Sequence, residues 1–183
     1  MRTHKIEGII LKRRNLGEAD RVLTILSRES GKILVKAPGV RRIKSRRSGH
    51  IELLNLAQLT LYSGSKTFMP IVTEAQTLEN FSQVKKNLCK IGYAYYICEL
   101  INGLCPDNQE NRSVFFHLKS TLFSLSKTED AETLIKKFEK DLLRELGFWS
   151  EARLLQTQDS RTVMERLLER KLKTIRVMPL FLQ

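Results

Sequence analysis

The chain has 183 residues, of which 42% are hydrophobic and 28% charged. That is too apolar for a disordered polypeptide and the right size for one or two small domains. Its formal charge of +12 at pH 7 points to a polyanionic partner. The excess is uneven: residues 1–79 hold 15 basic and 7 acidic side chains, residues 80–148 hold 10 and 9, and residues 149–183 hold 7 and 4.

The first segment, residues 1–79, reads as strands separated by turns. Ile6 to Leu11, Val22 to Leu26, Ile33 to Ala37, Ile51 to Leu61 and Phe68 to Ala75 are rich in β-branched and apolar residues. Breaks fall at Gly17, Ser30-Gly31, Pro38-Gly39, Ser48-Gly49 and Ser63-Gly64. Five strands in so short a stretch predict a small closed barrel, and the five-stranded OB-fold resolves the problem of exposed strand edges by near closure. Ile33, Val35 and Ala37 alternate with Lys32, Leu34 and Lys36, so one side of that strand faces a core and the other carries two lysines.

The same segment holds the densest positive charge. Lys12, Arg13, Arg14, Arg21 and Lys36 precede the run Arg41-Arg42-Ile43-Lys44-Ser45-Arg46-Arg47, which has five cations in seven residues and no acid until Glu52. Any one of these cations also fits a solvated surface residue. The cluster is too dense for local ion pairing and reads as a phosphate-binding surface. Only Tyr62 and Phe68 are aromatic in residues 1–79, so base stacking is a minor contribution and affinity comes from backbone phosphates, which carry no base information. Such a surface leaves the bases free to pair with a second strand.

From residue 80 the hydrophobic period changes from two to about 3.6. Val84, Leu88, Ile91, Tyr95 and Cys98 predict one helical stripe, Phe115, Leu118, Leu122 and Leu125 a second, and Ile135, Phe138, Leu142 and Leu146 a third. The third helix has Glu129, Asp130 and Glu132 at its start and Gly147 at its end, where dipole and left-handed cap favour them. Met164, Leu168, Leu172 and Ile175 predict a last helix from Ser160 to about Lys173, with Pro179 beyond its end. The expected architecture is α+β: an OB-fold over residues 1–79 and a helical domain over residues 80–183.

Catalytic and metal-binding signals are weak. His4, His50 and His117 are far apart in sequence, and no HExxH, GxxxxGK[ST] or GxGxxG pattern occurs. Cys89, Cys98 and Cys105 lack paired CxxC spacing and read as small core residues. Glu18 and Asp20 beside Arg21 read as turn formers or partners for nearby Arg rather than as ligands of a nuclease metal. No enzymatic activity, cofactor or metal is therefore expected. The polar opening residues Met1 to Lys5 and the lack of any run of about 18 apolar residues predict a cytoplasmic, nucleoid-associated protein.

Several stretches carry a family likeness. The run Lys5-Ile6-Glu7-Gly8-Ile9-Ile10-Leu11-Lys12-Arg13-Arg14 is followed by Gly17-Glu18-Ala19-Asp20-Arg21, Gly31-Lys32-Ile33, Lys36-Ala37-Pro38-Gly39-Val40-Arg41 and Gly49-His50-Ile51-Glu52. Phe138-Glu139 and Leu142-Leu143-Arg144-Glu145-Leu146-Gly147-Phe148 follow in the helical part. In order and spacing these stretches resemble the bacterial RecO family of DNA repair proteins, closely over about residues 3–82 and loosely beyond.

The resemblance implies a recombination mediator with an N-terminal OB-fold and a helical C-terminal part. Such a protein binds single- and double-stranded DNA, anneals complementary strands, and with RecR helps RecA replace single-strand DNA-binding protein (SSB). It also implies that the acidic tail of SSB docks on the helical part, a role that falls here on Lys136, Lys137 and Phe138. The chain departs from the family in having no cysteine from Phe148 onward, so the four-cysteine zinc module of many relatives is not expected. The alternative function is a basic OB-fold module that binds structured RNA, such as a ribosome-associated factor.

Overall fold

A computed structural model of the chain describes residues 2–64, 68–148 and 159–174. The chain divides into two compact units, Met1–Asn80 with Asp107–Phe115, and Phe81–Pro106 with Phe116–Gln183.

The first unit is built on five strands, β1 (Arg2–Leu16), β2 (Asp20–Ser27), β3 (Gly31–Ala37), β4 (Leu56–Ser63) and β5 (Ile71–Glu79). They close into a barrel in the order β1-β2-β3-β5-β4, with β4 returning to β1. Every pairing is antiparallel except β3 with β5, which meet in parallel at Lys36 and Ile71. This is the five-stranded, OB-like mixed sheet expected from the residues.

Closure depends on the length of β1. Its 15 residues pair with β4 from Arg2 to Ile9 and with β2 from Gly8 to Leu16, so one strand serves both sides of the seam. A bulge between Ile10 and Lys12 bends it. There the Ile10 N–H donates to the Asn55 carbonyl and the Leu54 N–H to the Ile10 carbonyl, at 3.1 and 2.9 Å. The barrel interior is filled by Ile6, Ile10, Leu23, Ile25, Ile33, Val35, Ala37, Val40, Ile51, Ala57, Leu59, Leu61 and Val72.

Two predicted strands begin later than their apolar residues suggest. Ser48–Ile51 is a short 3-10 turn, and Leu54 takes a left-handed backbone, so β4 starts at Leu56. Ile51 is buried as a plug in the barrel, not as a strand residue. Phe68 stands in solvent, and β5 starts at Ile71.

Lys32 also departs from expectation. It points away from the barrel interior but is buried, and its ammonium pairs with Asp107 at 3.1 Å. The Asn108 N–H donates to the Lys32 carbonyl at 2.7 Å, so residues 107–109 lie along the start of β3. Gly31, at φ +64°, makes this approach possible, because a Cβ there would overlap the Gln109 carbonyl.

The helical part comprises α1 (Ser82–Lys86), α2 (Leu88–Leu104), α3 (Arg112–Lys127), α4 (Ala131–Glu145) and α5 (Ser160–Leu167) among the described residues. Phe115, Leu118, Leu122 and Leu125 are fully buried along α3, and Ile135, Phe138 and Leu142 along α4. Asp130 caps α4 by accepting the Thr133 N–H at 3.0 Å, and Gly147 ends it at φ +76°.

The first predicted stripe needs correction. Asn87 is extended and separates Val84 in α1 from α2, while Leu88 and Tyr95 are exposed and Gly92, Ala94, Tyr96, Ile97, Leu100 and Ile101 are buried instead. α5 stops at Leu167, six residues before the predicted end, where Glu169 turns left-handed. Ile175 and Pro179 lie outside the described residues.

Cys98 and Cys105 are buried, and Cys89, Cys98 and Cys105 form no disulfide among the described residues. Burial alone pushes the Cys98 thiol up to about 12. No helix of the described residues is long and apolar enough to cross a membrane.

Candidate nucleic-acid interface

Residues paired across neighbouring strands point to the same side of the sheet, so register decides where each cation goes. Arg14, Val22 and Lys36 form one row across β1, β2 and β3, and Lys12, Thr24 and Leu34 the next. Both rows face outward. The row Arg13, Leu23 and Val35 and the row Asn15, Arg21 and Ala37 face inward. The bulge after Ile10 sets this phase, because without it Lys12 would share the inward side of Ile10.

The two inward arginines meet one carboxylate at the barrel mouth. Arg13 pairs tightly with Glu52 through Nη1 and Oε2, and Arg21 Nη1 lies 3.3 Å from Glu52 Oε1. These ion pairs are part-buried, and they commit both cations to the fold. Lys36 faces outward but pairs with Asp20 at 2.9 Å. Asp20 also accepts the Gly39 N–H at 2.8 Å, and that bond followed by Lys36 holds its carboxyl below the ordinary carboxylate range.

The Arg41–Arg47 loop is a series of turns. The Arg42 N–H donates to the Gly39 carbonyl at 3.2 Å, the Ser45 N–H to the Arg42 carbonyl at 2.9 Å and the His50 N–H to the Arg47 carbonyl at 3.1 Å. Arg47 is its bracket: the guanidinium donates to the Pro38 carbonyl at 2.7 Å and, tightly, to the Val72 carbonyl. Arg41 donates to the Gly17 carbonyl at 2.8 Å. Arg42 lies beside Gly39 and adds to the field that lowers Asp20.

Between this loop and β5 lies a cleft of about 710 Å³. Arg42, Lys44, Arg46 and Arg47 line it on one side, and Thr73, Glu74 and Ala75 on the other, with Asp20 and His50 at its walls. His50 Nδ1 accepts the Thr77 N–H at 3.2 Å and lies 3.0 Å from the Thr77 hydroxyl oxygen, which fixes the ring against β5.

The ten cations singled out from sequence therefore divide. Arg13, Arg21 and Lys36 are ion-paired, and Arg41 and Arg47 donate to backbone carbonyls. Lys12, Arg14, Lys44 and Arg46 are exposed and make no side-chain hydrogen bond or ion pair among the described residues. Arg42 is exposed as well. Thr73, Glu74 and His50 were not predicted as wall residues. Nothing in their local pattern marks them, since β5 is brought against the loop by tertiary contacts, the parallel pairing with β3 and the Arg47 bond to the Val72 carbonyl.

In the helical part, Lys136 is exposed and pairs with Glu132 at 2.6 Å, one turn away. That pairing raises its pKa. Lys137 is also exposed. Phe138 is buried, its ring 4.6 Å from that of His117, so it serves the helical core and offers no apolar surface to a ligand. Two cations after α5 are committed as well, Arg170 to Glu99 and Lys171 to Glu165, both at 2.6 Å.

A closed barrel of this strand order with a basic cleft at one flank, followed by a helical region, places the chain among the OB-fold proteins. Comparison with known families resolves which of these it is. Residues 1–81 match the family model "Recombination protein O N terminal" and residues 86–151 match "Recombination protein O C terminal". DNA repair protein RecO of Symbiobacterium thermophilum is 31% identical over 149 residues, 81% of this chain and 58% of that protein. The Dehalococcoides mccartyi protein of the same name is 36% identical over 149 residues, with the same coverage, and that of Roseiflexus sp. is 37% identical over 147 residues, 80% of this chain and 51% of that protein. The chain belongs to the RecO family of DNA repair and recombination proteins. It spans a little over half the length of these curated relatives.

Proposed function

We propose that this chain binds single- and double-stranded DNA through Lys12, Arg14, Arg42, Lys44 and Arg46, and that it anneals complementary strands. In this reading it helps load RecA onto SSB-coated DNA together with RecR. The observation that carries it is the set of exposed cations around the cleft and on the adjoining strand face, of which Lys12, Arg14, Lys44 and Arg46 make no side-chain hydrogen bond or ion pair among the described residues. Unpartnered cations keep their full charge for phosphates and release condensed counterions on contact. Lys36, Arg41 and Arg47 lie beside them and shape the surface more than they grip it.

The scarcity of aromatic residues supports annealing. A surface that holds phosphates and does not stack on bases leaves the base edges of a bound strand available for pairing. No chemical step is required, so the activity proceeds without nucleotide or metal. Docking of the SSB tail is assigned to the exposed Lys136 and Lys137, with an apolar neighbour other than Phe138.

The test is duplex formation between complementary strands coated with SSB, followed with and without the protein, in the absence of nucleotide and magnesium. Acceleration supports the reading. No acceleration, with preferential binding of folded RNA, overturns it in favour of an RNA-binding module.

A further inference from the structure

Ile43 is the most exposed large apolar side chain of the described residues, with its whole surface in solvent. It stands at the apex of the turn closed by the Ser45 N–H and the Arg42 carbonyl, so Ile43 and Lys44 are its two central residues. The turn is held from below. Arg47 is bonded to the Pro38 and Val72 carbonyls, and the Ser48 hydroxyl donates to the Ser45 carbonyl at 3.0 Å. An isoleucine presented on a braced turn, with Arg42 and Lys44 on either side, is an arrangement a purely solubilising loop does not need.

Resting on the DNA-binding reading above, we infer that Ile43 is an apolar wedge that seats against the terminal base pair where a duplex passes into single strand. The flanking Arg42 and Lys44 hold the phosphates on each side of that step. Branched apolar side chains enter base steps in this way in other DNA-bending proteins. The energetic balance selects the substrate. Burying one isoleucine returns no more than unstacking an intact step costs, so the side chain does not open a continuous duplex. At a junction the stack is already interrupted, and that cost is largely absent. The preferred ligand is therefore a partly paired DNA, the form that exists at the edge of a growing annealed region.

The experiment uses the full chain and three DNA probes: a single strand, a blunt duplex, and a duplex with a single-stranded overhang carrying 2-aminopurine at the junction. Wild-type protein is expected to bind the overhang probe most tightly and to raise the 2-aminopurine fluorescence. Ile43→Ser should weaken binding to that probe by roughly tenfold, abolish the fluorescence change and leave single-strand binding and Tm unaltered. Retention of the junction preference by Ile43→Ser overturns the inference, as does equal wild-type affinity for all three probes. Ile43-dependent binding to anionic lipid vesicles, with junction binding unchanged in the variant, overturns it too.

The variant Arg42→Ala/Lys44→Ala/Arg46→Ala separates the two claims. If it weakens all three probes while Ile43→Ser weakens none, the wedge fails and the DNA-binding reading stands. If it weakens none, both fail.

Discussion

Arg46 and Arg47 are sequence neighbours with opposite duties. Arg46 is exposed and unpartnered among the described residues, whereas the Arg47 guanidinium satisfies two backbone carbonyls that anchor the loop to Pro38 and β5. Removing the Arg47 side chain leaves those carbonyls without a charged donor, and such bonds are worth about 1.5–3 kcal/mol each at most. Arg47→Ala should therefore lower the denaturant midpoint, while Arg46→Ala leaves it unchanged and weakens DNA binding. Equal stability of the two variants would contradict this division. Glu99 is the counterpart in the helical unit. Burial pushes its carboxyl up, but Arg170, the Thr174 hydroxyl and the backbone N–H groups of Lys173 and Thr174 together hold it down at about 2, against an ordinary 4.5. A carboxyl lowered on folding contributes stability that is complete above about pH 4.5 and is lost as the pH falls towards 2. Tm of the wild type should fall more steeply across that interval than Tm of Glu99→Gln. Parallel profiles would show that the carboxylate does not tie residues 170–174 to α2.

At the scale of elements, α2, α4 and α5 are joined by one buried polar contact. The Tyr96 hydroxyl donates to Glu139 Oε1 at 2.6 Å, and the Ser160 hydroxyl donates tightly to Oε2. Arg161 lies over the Tyr96 ring, and burial, followed by the Glu139 charge, raises the Tyr96 pKa strongly. Tyr96→Phe keeps the ring and strips the carboxylate of a donor, so it should destabilise the protein by about 1–3 kcal/mol in urea unfolding. A neutral effect would mean that water replaces the hydroxyl.

None of this contact was legible in the sequence, because its three side chains come from three separate helices. The barrel was legible, since apolar runs and turn residues mark β2 and β3 to within two residues at each end. The bulge in β1 was not, as Leu11 simply continues an apolar run, yet it decides that Lys12 and Arg14 face outward and Arg13 inward. The stripe on α2 was misread because that helix is apolar on most of its circumference. With so little contrast between faces, spacing alone selects Leu88 and Tyr95 in error. The charged loop stood out by density, but its separation into bracket and free cations depends on carbonyls brought from Pro38 and Val72 by the fold.

At the scale of the whole molecule, the positive charge is concentrated in the unit whose core is a closed barrel. A barrel leaves few free edges, so residues 1–79 can carry a net charge of +8 without exposing backbone to unwanted pairing. The cost is self-repulsion, which Glu52 and Asp20 offset at the positions where the fold needs it. What remains unneutralised is available to a polyanion. The most direct test is the salt dependence of binding to a single strand. If roughly 4 to 6 phosphates are engaged, log affinity should fall with log salt at a slope of about −3 to −4 in the wild type. In Arg42→Ala/Lys44→Ala/Arg46→Ala the slope should become shallower by about 2, with Tm unchanged. A wild-type slope near zero, or a variant slope equal to the wild-type slope, would contradict the claim that these exposed cations bind the DNA backbone.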